Sequence, residues 1–262
     1  MVYRLLLQVI LLFAAAILSS CAVNPVTGRN ELSLVSEAQE RAIGEQQYGP
    51  SQQSQGGEFS VDPVLSEYVN EVGQRIAAVS DAPLDYEFVV LNNSVPNAWA
   101  LPGGKIAVNR GLLTELKSEA ELAAVLGHEV VHAAARHGAQ AMTRGTLLQG
   151  ALAVGAIASQ DNDFADFIVG ASQLGAQLIS QRYGREAELQ SDEYGIRYMI
   201  AAGYDPRAAI SLQETFVRLS AGQNPGWLGG LFSSHPPSEE RVDNNRALVN
   251  ELLPELAGRD LE

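Results

Sequence analysis

The stretch "GHEVVHAAARHG", residues 127–138, holds three of the chain's four histidines. On a helix, residues four apart lie on one face, about one turn from each other. His128 and His132 can therefore turn imidazole nitrogens toward one ion, the geometry of a zinc-binding HExxH. Glu129 sits one position on, about 100° around the helix axis. That places its carboxylate beside the metal, where it can take a proton from an attacking water. A catalytic zinc takes three protein ligands and leaves one position open, so a third ligand is needed.

His137 is near in sequence but fails as that ligand. Five residues after His132, it points away from the face carrying the pair. The pattern HExxHxxGxxH needs glycine at 135 and histidine at 138, where this chain has Ala135 and Gly138. His137 reads instead as a structural or supporting histidine on the far side of the helix. A carboxylate from another helix is the alternative. "RYGREAELQSDEYGIRYMI" (182–200) is helical in pattern and rich in acids, with Glu188 and Asp192 four apart on one face. In this arrangement Glu188 binds the ion and Asp192 orients a ligand histidine through its ring N–H. Spacing alone favours Glu188 only modestly over Glu186.

The surrounding chain supports a globular body. Its 262 residues are 46% hydrophobic and 18% charged, enough for one domain with a sizeable core. Seventeen basic against 31 acidic residues give a formal net charge of −14, which argues against a nucleic-acid partner. The N-terminus has one basic residue, Arg4, then an apolar run from Leu5 to Leu18 broken by Gln8, and a small-residue exit into Cys21. This pattern reads as a secretory signal rather than a spanning helix. "LSSC" (18–21) resembles a bacterial lipobox, which implies cleavage before Cys21 and lipid on its thiol. Ala22 in place of an aspartate resembles lipoproteins of the outer membrane. Cys21 is the only cysteine, so the chain has neither an intramolecular disulfide nor a thiolate metal cluster. The expected division is a signal at 1–20, a lipidated tether at 21–35 and a single zinc metallopeptidase domain at 36–262.

Within that domain, helix begins near Ser36, and 48–63 reads as a polar loop. Asp62 and Pro63 look like the N-cap and first residue of a helix. "YEFVVL" (86–91) and "KIAVN" (105–109) are strand runs, with "PGG" (102–104) turning the chain after "NAWAL" (97–101). Ser118 and Glu121 make a capping box before the histidine helix. "TLLQGALAVGAIAS" (146–159) is too short for a second span and reads as a buried or membrane-facing helix. The fold class is α+β: a small sheet against a larger helical body.

"HEVVHAAARH" (128–137) followed by "REAELQSD" (185–192) resembles the HtpX and CAAX prenyl protease family of gluzincin metallopeptidases. "NAWALPGGKIAVNRGLL" (97–113) and "SSHPPSEERV" (233–242) are similar to further family segments. "NPVTGRNELSLVSEAQE" (24–40) is similar to small bacterial lipoprotein members. Two departures stand out: no spanning helix follows the signal, and no helical-repeat region is appended. A third is Ser191, which stands where alanine usually precedes the aspartate. The resemblance implies a mainly helical zincin-like domain with an edge strand before the HExxH helix. It also implies one zinc per chain on His128, His132 and Glu188, with Asp192 behind them.

Such a site implies peptide hydrolysis, with Glu129 as base and then acid. His235 would either donate to the oxyanion or fill the open zinc position in a latent state, and Arg241 would position its loop. The backbone of Asn97, Ala98, Trp99 and Ala100 can pair with an extended substrate, and Trp99 either shapes that groove or belongs to the core. The expected function is an outer-membrane lipoprotein with its body in the periplasm, a zinc endopeptidase for unfolded or misassembled envelope proteins. The alternative is an assembly or binding factor with a latent or structural zinc site. A cell-wall esterase or amidase is the weaker third reading.

Overall fold

A computed structural model describes residues 21–159, 183–221 and 231–262, and the expected signal segment lies outside them. The chain opens with an antiparallel hairpin, β1 (Cys21–Val23) and β2 (Asn30–Leu32). Helices α1 (Glu37–Ser54) and α2 (Pro63–Ala77) follow, then strands β3 (Glu87–Leu91), β4 (Ala98–Leu101) and β5 (Lys105–Asn109). After the short α3 (Arg110–Leu113) come α4 (Glu119–Ala134), α5 (His137–Ser159), α6 (Arg185–Ala201) and α7 (Arg207–Ala221). The chain closes with α8 (Leu231–Ser234), α9 (Glu239–Leu252) and a 3-10 turn, Leu253–Leu256.

The sheet order is β3-β5-β4, with β3 parallel and β4 antiparallel to β5. The expected "PGG" turn makes that hairpin, with Gly103 and Gly104 at φ values of 84° and 92° that side chains resist. Alternation along the strands sends side chains to two cores. Phe88, Val90, Ala98, Ala100, Ile106 and Val108 face the main core with α2 and α4. Val89, Leu91, Trp99, Leu101 and Ala107 face the other way, under Ile43 and Tyr48 of α1 and Met142 of α5. Trp99 is therefore a core residue, its ring edge-on to Tyr48.

Helix α4 is buried on nearly every side, which makes it the central element of the fold. It crosses α6 where Gly127 and Gly195 meet. A methyl on Gly195 would stand 3.1 Å from the His128 backbone nitrogen, and one on Gly127 would stand 3.1 Å from the Gly195 carbonyl oxygen. Two glycines at this crossing let the backbones approach closely. That approach puts the histidine face of α4 against the acidic face of α6.

Several local expectations change. Helix α1 runs through Pro50 to Ser54, where a polar loop was expected. Proline inside a helix costs about 3 kcal/mol, yet tertiary contacts hold this one. Tyr48 donates its hydroxyl to the Ile106 carbonyl at 3.1 Å, and Gln55 accepts from Asn93 at 3.1 Å. At Ser118 only half of the capping box forms. Its hydroxyl accepts from the Glu121 backbone, while the Glu121 carboxylate caps the Lys117 backbone at 2.8 Å and binds Ser211. The full box is at the start of α1, between Ser36 and Gln39. Residues 21–35, expected as a tether, pack onto the body instead. Val26 joins the main core, Asn24 donates to the Ala135 carbonyl, and Leu34 donates to Thr143. Apolar and polar contacts across more than 100 residues hold the hairpin down. Asp62 caps α2 through the Leu65 backbone as expected. Among the described residues no helix is long and apolar enough to cross a membrane.

Candidate metal centre

The histidines of α4 and the glutamate of α6 converge on one point. His128 Nε2 and His132 Nε2 are 3.0 Å apart. Glu188 places one carboxylate oxygen 3.5 Å from the first and the other 3.4 Å from the second. His235, on the loop after α8, adds its Nδ1 at 3.3 Å from His128 Nε2 and 3.0 Å from Glu188 Oε1. These four donor atoms all lie within 4.8 Å of one another. Glu186, the other candidate, is exposed on the outer face of α6.

Each ring is fixed by a partner behind it. Asp192 Oδ1 meets His128 Nδ1 at 3.0 Å, so that ring donates there and turns a lone pair on Nε2 toward the cluster. Arg241 reaches both Asp192 oxygens at 2.6 Å, and extends to Glu188 at 2.9 Å and to the Pro236 carbonyl at 3.3 Å. Its role is therefore to clamp the two acids of α6 while holding the His235 loop. His132 is held by His137, whose Nδ1 is 2.9 Å from His132 Nδ1 and whose Nε2 is 2.7 Å from Gln190 Oε1. Gln190 Oε1 only accepts, so His137 donates from Nε2 and accepts at Nδ1. His132 must then donate from Nδ1, leaving its Nε2 lone pair for the cluster.

His137 thus differs from its expected place on the far side of the helix. Helix α4 ends at Ala134, and Arg136 takes a left-handed φ of 60°, which turns the chain back so that His137 starts α5 beside His132. The left-handed residue is held from outside: Arg136 donates to Glu40 of α1 at 2.6 Å and to the Val35 carbonyl at 2.9 Å. The supporting role of His137 is as expected; what the sequence reading missed is Tyr183, whose ring lies 4.0 Å from that of His132. No short-range pattern marks Tyr183, because it acts through the tertiary fold.

The electrostatics follow from burial among opposed charges. Burial by itself would lower the His128 pKa, but hydrogen bonds to Asp192 and Glu188 outweigh it and raise it to about 9. His132 is driven well below the ordinary imidazole range by burial, reinforced by neighbouring His128. Burial also lowers His137, to about 4. For Glu188 burial would raise the pKa, yet His235, His128 and His132 hold it well below the usual carboxylate range. Glu129 is 2% exposed, and burial pushes its pKa up. Its Oε1 is 3.6 Å from His235 Nε2, and its Oε2 has no hydrogen-bond partner among the described residues.

This donor set fits zinc. Zinc–nitrogen bonds of about 2.0–2.1 Å in a tetrahedron put ligand atoms roughly 3.3 Å apart. The close pairs among the donors run from 3.0 to 3.5 Å, within a set that spans at most 4.8 Å. Two Nε2 atoms 3.0 Å apart need a proton or a metal cation between them. Ionised Glu129, Glu188 and Asp192 against Arg241 leave two negative charges, which a divalent ion neutralises.

The pattern of peptidase family M48 matches residues 63–249. The chain belongs to that family. It is 36% identical over 194 residues to the mitochondrial metalloendopeptidase OMA1 of Schizosaccharomyces pombe, covering 72% of this chain and 53% of that protein. It is 30% identical over 207 residues to the putative beta-barrel assembly-enhancing protease of Vibrio cholerae, covering 74% and 41%. Against the beta-barrel assembly-enhancing protease of Escherichia coli it is 27% identical over 247 residues, covering 92% and 50%. The chain spans about half the length, or less, of these relatives. All four donors and Arg241 fall inside the matched M48 segment.

The edge-strand residues are placed less openly. Strand β4 is the sheet's edge among the described strands, but Asn97, Ala98, Trp99 and Ala100 are at most 6% exposed. The Leu231 backbone of α8 donates to the Pro96 carbonyl just before β4, which ties the His235 segment to the strand's start.

Proposed function

We propose that the chain is a zinc-dependent endopeptidase that hydrolyses unfolded or misassembled polypeptide in the cell envelope. The observation that carries this reading is Glu129, buried next to three donors with one carboxylate oxygen unpartnered. A structural metal site has no use for such a group. His128, His132 and Glu188 would hold the zinc, which would supply Lewis-acid polarisation of the scissile carbonyl and lower the pKa of water to about 7. Glu129 takes the proton from the attacking water and returns it to the leaving amine.

In the resting arrangement His235 stands where a fourth donor would, and β4 is covered. Both features support a shut state that opens when substrate displaces His235 and pairs with the β4 backbone along Asn97–Ala100. Arg241 holds Asp192, and through it His128, while it keeps the His235 loop attached. The lipid on Cys21 and the outer-membrane, periplasmic location rest on the lipobox resemblance. The relatives named for beta-barrel assembly are consistent with an envelope setting. With the hairpin packed from Cys21 onward, an acyl chain there would hold the body close to the lipid surface.

The test is zinc content and casein hydrolysis by the mature chain. One zinc per chain is expected, with cleavage abolished by a chelator and restored by zinc. His235→Ala is expected to raise the cleavage rate at low substrate. A chain that binds zinc and cuts neither as wild type nor as His235→Ala refutes the peptidase reading and favours the assembly factor.

A further inference from the structure

A cleft at the C-terminal end of α4 contains none of the residues of the metal centre. Its apolar walls are Pro25 of the hairpin loop, Ala82, Pro83 and Leu84 before β3, and Ala133 of α4. The 82–84 wall is pinned to α6, where Tyr198 donates its hydroxyl to Asp81 at 2.8 Å. Four charged residues complete the lining: Glu37, Glu40 and Arg41 of α1, and Arg136. They are not equivalent. Glu37 and Arg41 are exposed and stand 4.0 Å apart, whereas Glu40 is only 5% exposed. Arg136 sends Nε and Nη2 to one and the same Glu40 oxygen, Oε1, and Nη2 also reaches the Val35 carbonyl. Among the described residues no hydrogen bond reaches Glu40 Oε2. Buried polar groups are as a rule paired, so this half-used carboxylate in a cleft wall points to a donor from outside. Burial raises the Glu40 pKa against the pull of Arg136, so a single guanidinium leaves the acid under-compensated. The last carbonyls of α4 add partial negative charge at the same end.

We infer that this cleft binds an alkylammonium group on Glu40, and that its occupancy steadies the turn carrying His137. One open oxygen suits a compact ammonium, whereas a guanidinium fork needs two acceptors side by side. The apolar walls cover a short aliphatic stem while the charged head reaches the acid. An anionic ligand would meet Glu37 and Glu40, and Arg136 has already turned two of its nitrogens to its own partners. A free aliphatic amine and a lysine side chain both offer the required group. With a second donor on Oε2, Glu40 stays ionised and fixed, and so keeps its hold on Arg136 at the left-handed φ of 60°. Arg136 precedes His137, whose Nδ1 supports His132 at 2.9 Å. The ligand thus favours the same turn that the metal centre needs. This site is independent of peptide hydrolysis and would stand in an assembly factor as well.

The test titrates the full zinc-loaded, isotope-labelled chain and follows its amide chemical shifts. The probes are n-butylammonium, N-acetyl-lysine methylamide, neutral n-butanol and anionic pentanoate. Butylammonium is expected to shift the Glu40, Gly103, Ala134 and Arg136 amides and to saturate by about 10 mM. Butanol and pentanoate should bind at least about 10-fold more weakly, since neither brings a charge-assisted donor. The blocked lysine separates the sources. The same shifts with it admit a lysine side chain, and shifts with butylammonium alone restrict the site to free amines. Glu40→Gln is expected to lose the amine. Because Glu40 also holds Arg136, Glu37→Lys on the exposed rim is the second variant, expected to fold and to repel the ammonium. No binding of either cation, or butanol or pentanoate binding as tightly, overturns the site. Shifts confined to the surroundings of His128 and Glu188 would mean an amine on the zinc and overturn it too. Zinc affinity, read by competition with a chromophoric chelator, is expected to rise about 5-fold in saturating butylammonium. By reciprocity the metal-free chain should bind butylammonium about 5-fold more weakly. Amine binding with zinc affinity unchanged keeps the site and refutes its link to His137.

Discussion

His128 and His132 stand one turn apart on the same helix, yet their surroundings are unlike. Behind His128 are charges: Asp192 at 3.0 Å, itself gripped by two nitrogens of Arg241. Behind His132 the partners are neutral: His137 at 2.9 Å, resting on Gln190. Both arrangements fix a ring and its tautomer with bonds of similar length. Their electrostatic results are opposite, since one histidine is raised to about 9 and the other is driven well below its ordinary value. A buried site can therefore hold two donors equally firmly while loading charge behind only one. Had both been backed by carboxylates, the centre would carry more negative charge than a divalent ion neutralises.

Breaking the convergence itself should have the largest effect. Glu188→Gln removes the one anionic donor and a partner of Arg241, so zinc is expected to be lost on dialysis and casein cleavage to fall to background. Zinc analysis beside the activity assay checks this. Asp192→Asn, on the charged side, is expected to weaken zinc binding or activity about 10- to 100-fold, read by competition with a chromophoric chelator. His137→Gln, on the neutral side, should sit at the lower end of that range, about 10-fold, because it removes no charge.

Metal-free protein sharpens the contrast through pH. The folded pKa of His137 is depressed, to about 4 from 6.5, so its contribution to stability is present above about 6.5 and lost as pH falls toward 4. His128 is raised to about 9, so its contribution is complete below 6.5 and lost as pH rises through 9. His137→Gln is expected to flatten the acid side of the stability curve of the metal-free chain, and His128→Gln the alkaline side. Thermal unfolding across pH measures both. The smallest effect belongs to Ser118→Ala at the start of α4. It should cost about 1 kcal/mol of stability with zinc affinity unchanged, because the helix is held mainly by packing. Urea unfolding reads that loss.

Much of the centre was legible in the sequence because helical spacing is local. His128 with His132, and Glu188 with Asp192, each lie four apart, and the helix period alone puts each pair on one face. The glycines that let those faces meet, Gly127 and Gly195, have no meaning until the helices cross. The turn that brings His137 beside His132 was hidden for a similar reason. Arg136 takes a conformation that glycine would normally mark, and the distant Glu40 and Val35 carbonyl keep it there. Arg241 was read as a loop anchor because nothing near it in sequence points to Asp192, 49 residues away. The hairpin at 21–35 and the helix through Pro50 went unseen because long-range contacts outweigh local turn signals. Trp99, left between groove and core, was settled by the sheet having a covered second face.

The central claim is that Glu129 does chemistry at a metal held by its neighbours. The most direct measurement is casein cleavage by wild type and Glu129→Gln, with zinc content determined on the same samples. The account predicts one zinc in both proteins, cleavage by wild type and none above background by the variant. Equal cleavage by the two zinc-loaded proteins would contradict it.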